Sequence, residues 1–544
     1  MRSLLLPYRH EGSQLAILNA LIALTSESND ACQYIATTGP AINHLLLMLR
    51  GGGSGQLGLR VTACIANIFR WKATCPPPPF SPPSSSAASR SSSGNALFAV
   101  RRHVITTVLP LMKEPATRVE AADVFVKLVQ DDIEVQELLC TLDMPRYIAL
   151  YFGENDVAAD SPLLRERGLR VMAAYTSNCN RARFQVKASP TLMREIKQGL
   201  NVANPDSAPV RQAACSCVLS LSRSVKVMRK ELVEANILKS VAMLLEDPFE
   251  SVKEAATAAL CNMLLEFSPL KKDGIDFGVI EIFAKHILGG GGGGGGVGGG
   301  GGGGGAVGGA GGSDGQQRSS DALQINSAWA LKNLLYSVHE ETVPSPSTGG
   351  SSASAAAEAA GVKGRVISAL TWSSLSVLLT KSNSIQEHAA GILQNLVFGG
   401  GGVSDVTKAA AGFGGTDELV NILGRLLEST NTNVVVHALY TANNIAAEGE
   451  NEHKDGLVNN KAVMARIVQK LISPITKVQV PAIWCIRNLT RATVPGADER
   501  QASLLSSNPN LRQYLQDVAM LEKYDVKAHA RSALNEFNKG VGPL

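Results

Sequence analysis

A spacing rule recurs along this chain and restricts what it can fold into. An aliphatic residue stands ten positions before a polar residue, usually Asn, and a small residue stands six before it. The rule is met by Val252, Ala256, Asn262; Leu323, Ser327, Asn333; Ile385, Ala389, Asn395; Val434, Ala438, Asn444; and Val478, Ala482, Asn488. An earlier copy, Val210, Ala214, Ser220, keeps the frame with Ser in place of Asn. Ser220 and Asn262 are 42 residues apart, and Asn444 and Asn488 are 44 apart. The aliphatic and small residues are four apart and so share one face of a helix. Each unit buries that face only by stacking on the next, so the pattern describes an elongated helical array.

A helical unit of about 40 to 47 residues is the signature of armadillo or HEAT repeats, which present a long concave surface and are usually binders. The spacings that break the period have a cause in composition. Asn262 to Asn333 is 71 residues, with a glycine tract at 289–312; Asn333 to Asn395 is 62, with a Pro/Ser/Ala/Gly stretch at 344–361. A third stretch, CPPPPFSPPSSSAASRSSSG, occupies 75–94. Such segments bury too little apolar area to offset chain ordering and are expected to be disordered. The expected fold is all-α, a right-handed armadillo/HEAT-type solenoid of roughly ten repeats interrupted by low-complexity loops. N-terminal repeats are expected over 1–74, a Pro/Ser-rich insertion over 75–95 and central repeats over 96–288. A Gly-rich insertion over 289–320, a repeat helix segment over 321–343, a Ser/Ala/Gly-rich insertion over 344–362 and C-terminal repeats over 363–539 complete the chain.

Composition narrows the functional classes. The 544 residues are 45% hydrophobic but only 5% aromatic, a balance suited to helices packed by Leu, Val, Ile and Ala. A net charge of +4 with no basic run gives little support to nucleic-acid binding. The opening MRSLLLPYRHEGS holds too short an apolar stretch for a signal peptide, and no segment approaches ~18 consecutive apolar residues. No membrane association is expected. The nine cysteines form no C-x-x-C pair and read as free buried thiols, so the expected location is cytoplasmic and nuclear.

Catalytic chemistry is missing from the pattern. There is no H-E-x-x-H and no Walker loop. The string GGSDG at 311–315 matches G-x-S-x-G formally but follows glycine rather than a strand, which a nucleophile elbow needs. The nine histidines have no metal-ligand spacing, and His437 and His529 read as ordinary helix residues. The expectation is a non-enzyme without cofactor or metal.

The repeated positions offer binding chemistry instead. Trp484, Arg487, Asn488 and Arg491 recur at three- and four-residue spacing and are expected on one helix face. Tyr440 and Asn444 occupy the equivalent places one repeat earlier, and Trp329 and Asn333 do so before the Ser/Ala/Gly-rich stretch; Asn395 continues the series. In armadillo proteins that bind extended peptides, such as the importin-alpha family, a Trp-x-x-x-Asn pair lines the inner groove. There the amide meets the peptide backbone and the indole packs aliphatic stems. The competing reading is that each Asn bonds the neighbouring repeat and holds the stack together. The residues just before the Asn are Lys332, Gln394, Asn443 and Arg487, neutral or basic, which suits an acidic segment or a chain-terminal carboxylate rather than a basic localisation signal. An importin-alpha-like peptide adaptor therefore stands as the alternative.

Several stretches resemble one particular family. VRQAACSCVLSLSRSV (210–225), LCNMLLEFSP (260–269), RVEAADVFVKLVQDDIEVQ (118–136) and the run 478–488 with GADERQ (496–501) are similar to the armadillo repeat-containing protein 8 family. The resemblance runs in the family's order from about 118 to 537. It implies a non-catalytic scaffold subunit of the GID/CTLH E3 ubiquitin ligase. One end would dock on LisH/CTLH-domain core subunits, and the C-terminal concave groove would hold a substrate-receptor subunit, giving a hetero-oligomeric complex. Receptor contacts are expected on Tyr440, Asn444, Trp484, Arg487, Asn488 and Arg491. The family generally carries further N-terminal repeats. Here a repeat-like helix begins by about residue 14, so a shortened N-terminus or degenerate repeats are expected.

Overall fold

The computed structural model describes residues 11–37, 39–50, 55–74, 102–153, 161–202, 207–224, 236–265, 270–289, 313–336, 352–381, 383–399, 405–521 and 524–539. Every regular element among them is helical. The chain divides into two compact units, Met1–Met263 and Leu264–Leu544. The boundary falls inside the segment 96–288 that the sequence reading treated as one body of central repeats.

In the first unit a ladder of helices stacks side by side, each on the next: α1 (Glu11–Glu27), α2 (Gly55–Thr74), α3 (Arg118–Val129), α4 (Pro162–Thr176), α5 (Ala208–Ser222) and α6 (Glu250–Met263). The second unit repeats the arrangement with α7 (Ser313–Leu335), α8 (Asn383–Leu396), α9 (Thr432–Glu448), α10 (Thr476–Leu489) and α11 (Tyr524–Lys539). Shorter helices between them cover the other side of each ladder. The helix Thr416–Leu427, for example, packs on α9 and turns Leu419, Val420, Ile422, Leu423, Leu426 and Leu427 into the core.

The spacing rule has a direct structural cause. With the polar residue as position 0, the aliphatic residue at −10 is buried in each copy, as at Val252, Val434 and Val478. The small residue at −6 is sealed between neighbouring helices: Ala214, Ala256, Ser327, Ala389 and Ala482 are all 0% exposed. In α4 the position is Gly168, where an added Cβ would lie 2.6 Å from Tyr151 Cβ. The side chains of Tyr151 and Phe152 fill the space there, so a Cβ does not fit without a shift. Position 0 then stitches the stack. Asn262 Nδ2 donates to Leu219 O (3.5 Å), Asn395 Nδ2 to Lys332 O (3.0 Å) and Asn444 Nδ2 to Gln394 O (3.2 Å). Each acceptor is the carbonyl one residue before position 0 of the preceding ladder helix. Ser220 Oγ reaches the corresponding carbonyl of Ala173 (2.9 Å), which explains why Ser can stand in for Asn.

A second polar position, −9, ties three of the ladder helices to the hairpin before them. Gln386 Nε2 donates to Leu379 O (2.7 Å), Gln479 Nε2 to Leu471 O (3.0 Å) and Arg118 to Lys113 O (3.0 Å). These bonds satisfy carbonyls at helix ends that have no intrahelical partner. Helix starts are set locally. Asn431 caps α9 by accepting from Asn433 N at 2.9 Å, and Ser189 caps Pro190–Gly199 by accepting from Leu192 N.

Two expected boundaries need correction. Helix α7 begins at Ser313, inside the stretch 289–320 expected as an insertion, and a helix spans Ser352–Leu370, starting inside 344–362. The run SASAAAEAA at 352–360 consists mostly of Ala and Glu, strong helix formers, so composition there favours a helix over a loop. The expected disorder of 75–95, 290–312 and 344–351 lies outside the described residues.

One ion pair is wholly enclosed in the first unit. Arg211 meets Asp247 through Nε–Oδ2 (2.7 Å) and Nη2–Oδ1 (3.2 Å), with side chains 2% and 0% exposed. Asp247 Oδ1 also accepts from Phe249 N at 2.9 Å. Removing one partner leaves a buried charge, so Asp247→Ala should destabilise the chain by about 3–5 kcal/mol, and Arg211→Met with Asp247→Ala should recover most of that. Chemical denaturation monitored by circular dichroism checks this; a loss under about 1 kcal/mol in the single variant refutes it.

Candidate functional site

The residues left facing outward from the ladder differ between the two units. In the first unit, helices α2, α3 and α4 present charges that neutralise one another. Arg60 pairs with Glu120 at 3.2 Å, and Arg167 and Arg170 both reach Asp123 at 3.1 Å, with Glu166 against Arg167. In the second unit the same registers, four and seven before position 0, carry rings. Trp329, Tyr440 and Trp484 stand at −4; His388, His437 and His529 stand at −7.

These rings pack across the helix-to-helix step. Trp329 of α7 stacks on His388 of α8 with centroids 6.0 Å apart and planes 3° from parallel. Trp484 of α10 meets His529 of α11 edge-on at 5.1 Å and Tyr440 of α9 at 6.2 Å. In both Trp–His pairs a −4 indole covers a −7 imidazole on the following helix. Such pairs add attraction beyond area burial and hold the rings at fixed angles. In α8 the −4 position is Gly391, and the Lys332 side chain lies across it: an added Cβ would sit 2.5 Å from Lys332 Cδ and 3.3 Å from His437 Cε1.

Lys332 thereby forms part of a depression of about 290 Å³ over α7, α8 and α9. Tyr336, Gln394 and His437 line it with the buried amides of Asn333 and Asn395, and Leu265 adds an apolar wall. That volume lies at the small end for ligand sites and suits a peptide side chain better than a cofactor. His437 Nδ1 and Gln394 Oε1 lie 2.7 Å apart, within hydrogen-bond distance. Burial first, and then the charge of Lys332, lower the pKa of both His388 and His437 to about 4. Both rings are therefore neutral near pH 7. Glu387 lies beside them. Burial, the largest influence on it, pushes its pKa up, but the amides of Asn431 (3.0 Å) and Asn433 (3.1 Å) outweigh that and hold it below the usual carboxylate range. Two polar atoms on this face, His388 Nδ1 and Arg487 Nε, are buried without a hydrogen-bond partner among the described residues. Buried polar atoms are rarely left so.

The sequence-derived residues fall into two groups. Asn333 and Asn395 line the depression, with the exposed Trp329 on its stack with His388 on the same two helices. Tyr440, Trp484, Arg487 and Asn488 lie on α9 and α10, where Asn488 Nδ2 donates to the Asn443 side chain at 2.9 Å rather than to a backbone carbonyl. Asn395 and Asn444 spend their amide hydrogens on the preceding helix, the stack-holding role. Arg491 needs correction: α10 ends at Leu489, so Arg491 is not on the same helix face as Trp484. Thr490 closes the helix, its hydroxyl donating to Ile486 O at 3.0 Å. Sequence reasoning did not assign Tyr336, Gln394 or the −7 histidines to the site. Tyr336 follows Asn333 by three residues, a spacing that was available as a signal.

Stacked ladder helices define an all-α, armadillo-type helical-repeat fold. Comparisons with known proteins agree. A profile of the Armadillo/beta-catenin-like repeat family matches residues 226–264. Armadillo repeat-containing protein 8 of Danio rerio is 25% identical over 403 residues, covering 71% of this chain and 51% of that protein, and the Mus musculus protein is 24% identical over the same shares. GID complex subunit 5 of Schizosaccharomyces pombe is 34% identical over 128 residues, 23% of this chain and 15% of that protein. The chain spans about half the length of the armadillo repeat-containing protein 8 relatives it matches. The crystal structure of an engineered protein aligns with a TM-score of 0.52 at 16% identity, covering 98% of this chain and 97% of that one, and shows the fold.

The histidines make the second unit sensitive to acid. Their folded pKa values lie below the ordinary 6.5, so the unfolded chain binds protons first as pH falls. The stability contributed by the neutral rings is complete above about pH 6.5 and is lost progressively toward pH 4. Thermal melts across that window should fall more steeply for the wild type than for His388→Asn with His437→Asn. Parallel slopes would refute the assignment.

Proposed function

We propose that this chain is a non-catalytic scaffold subunit of a GID/CTLH-type E3 ubiquitin ligase, acting in the cytoplasm and nucleus in ubiquitin-dependent degradation. The ladder face of its second unit would hold an extended segment of a substrate-receptor subunit, while other surfaces engage LisH/CTLH-domain core subunits. The observation that carries the reading is the depression over α7–α9, where a side-chain-sized recess sits among fixed polar groups on a face already rich in rings. Aromatic and Arg side chains of this kind dominate interface hot spots. Similarity to armadillo repeat-containing protein 8 and to a protein named GID complex subunit 5 supports the choice of complex.

The importin-alpha-like alternative fits the face less well. A basic localisation signal needs acidic groups beside the Asn ladder. Here Lys332 and Arg487 occupy two of those places, and Glu387 is engaged by Asn431 and Asn433.

Two measurements test the proposal. Native affinity purification of the tagged chain, read by size exclusion and mass spectrometry, should recover a RING-type ligase pair with LisH/CTLH-domain proteins. Recovery with import factors and a broad cargo set, or as a lone monomer, would overturn it. Trp329→Ala and Tyr336→Ala should each weaken the recovered receptor interaction by about 2 kcal/mol or more while leaving the melting temperature near the wild-type value. Trp484→Ala should act in the same direction.

A further inference from the structure

The α9–α11 end of the same face holds a feature that the depression does not use. Arg487 stands one residue before position 0 of α10, three residues after Trp484, so the two side chains leave the same side of the helix. Its Nε is buried and has no hydrogen bond among the described residues. Among the described residues no carboxylate lies within ion-pair distance of Arg487 or of the exposed Arg491 two residues beyond the helix end. This sets them apart from Arg60, Arg167 and Arg170 on the outward face of the first unit, each of which has its acid. The nearby acidic group at position 0 of α11, Glu536, accepts from Ala492 N at 3.3 Å.

We propose that Tyr440, Trp484, His529 and Arg487 form a subsite for an Asp or Glu side chain carried by an extended peptide segment, the inference resting on the groove reading above. The three rings, joined edge to face at 6.2 and 5.1 Å, give an apolar wall for the aliphatic stem. The Arg487 guanidinium presents a planar fork that matches a carboxylate with two parallel N–H donors. Partial burial keeps that charge from being fully screened, so it is the stronger of the two cations; Arg491, in solvent, steers more than it holds. A neutral amide of the same shape would leave the guanidinium without its counter-charge. Selectivity for acid over amide is thus the property the subsite should show.

The test uses the full chain and fluorescence anisotropy with matched pools of fluorescein-labelled synthetic peptides, all amidated at the C-terminus. One pool fixes a central Asp or Glu, the other Asn or Gln; a third has the amide side chain with a free C-terminal carboxylate. The acidic pool should bind about tenfold more tightly than the amide pool, in line with a charge-assisted hydrogen-bonded pair. Arg487→Gln should erase that preference at an unchanged melting temperature, and Arg491→Gln should reduce it by a smaller factor. Equal binding of the acidic and amide pools, or a preference that survives Arg487→Gln, would sink the subsite alone. A preference confined to the free-carboxylate pool would replace it with a terminal-carboxylate site. Trp329→Ala, which should weaken all pools together, separates these outcomes from failure of the groove reading, and binding by no pool removes both.

Discussion

Close backbone approach between successive ladder helices is the constraint from which most of this architecture follows. At position −6 stand mostly Ala or Ser, with Gly168 in α4 and Val61 in α2, all buried. That proximity brings position 0 within reach of the carbonyl that precedes its counterpart on the neighbouring helix. An Asn amide or a Ser hydroxyl then closes the contact at 2.9–3.5 Å. Packing and polar satisfaction thus meet at the same helix-to-helix contact.

With positions −10, −6 and 0 committed to stacking, −7, −4 and −1 are left to decide what the outward face does. The two units make different choices. Charges in the first are spent on one another, Arg60 with Glu120 and Arg167 and Arg170 with Asp123. Rings occupy the same registers in the second, with cations and amides at −1. A self-neutralised face has little to offer a partner, whereas a face with fixed rings and an uncompensated Arg487 does.

Much of this was legible beforehand because a 3.6-residue period leaves its mark on every buried position. The copies centred on Asn262, Asn333, Asn395, Asn444 and Asn488 were readable because the polar residue kept its identity. Others were hidden by substitution. Leu57, Val61 and Asn67 follow the rule with a larger −6 residue, and Asn67 Nδ2 donates to Ile22 O at 3.3 Å. Lys127 stands at position 0 of α3 and reaches Asn67 Oδ1 at 3.3 Å, and α11 has Glu536 there. A pattern keyed on Asn passes over all of these. The histidines were unreadable for a different reason: a −7 imidazole gains meaning only from the ring that covers it on another helix. The helix starting at Ser352 was obscured because alanine is common in both low-complexity segments and helices. Arg491 was misplaced because nothing in its spacing reveals that Thr490 closes the helix.

The offset between the two ring registers has a wider consequence. Because a −4 indole rests on the −7 imidazole of the following helix, each ring pair is a syllable shared by two neighbouring repeats. A change of specificity in such a lineage would have to arrive as paired substitutions about forty to sixty residues apart in sequence, as Trp329 and His388 or Trp484 and His529 are. Shuffling whole repeats would break the pairs at each new junction. The grammar of the face therefore favours drift by coupled point changes over rearrangement of its modules.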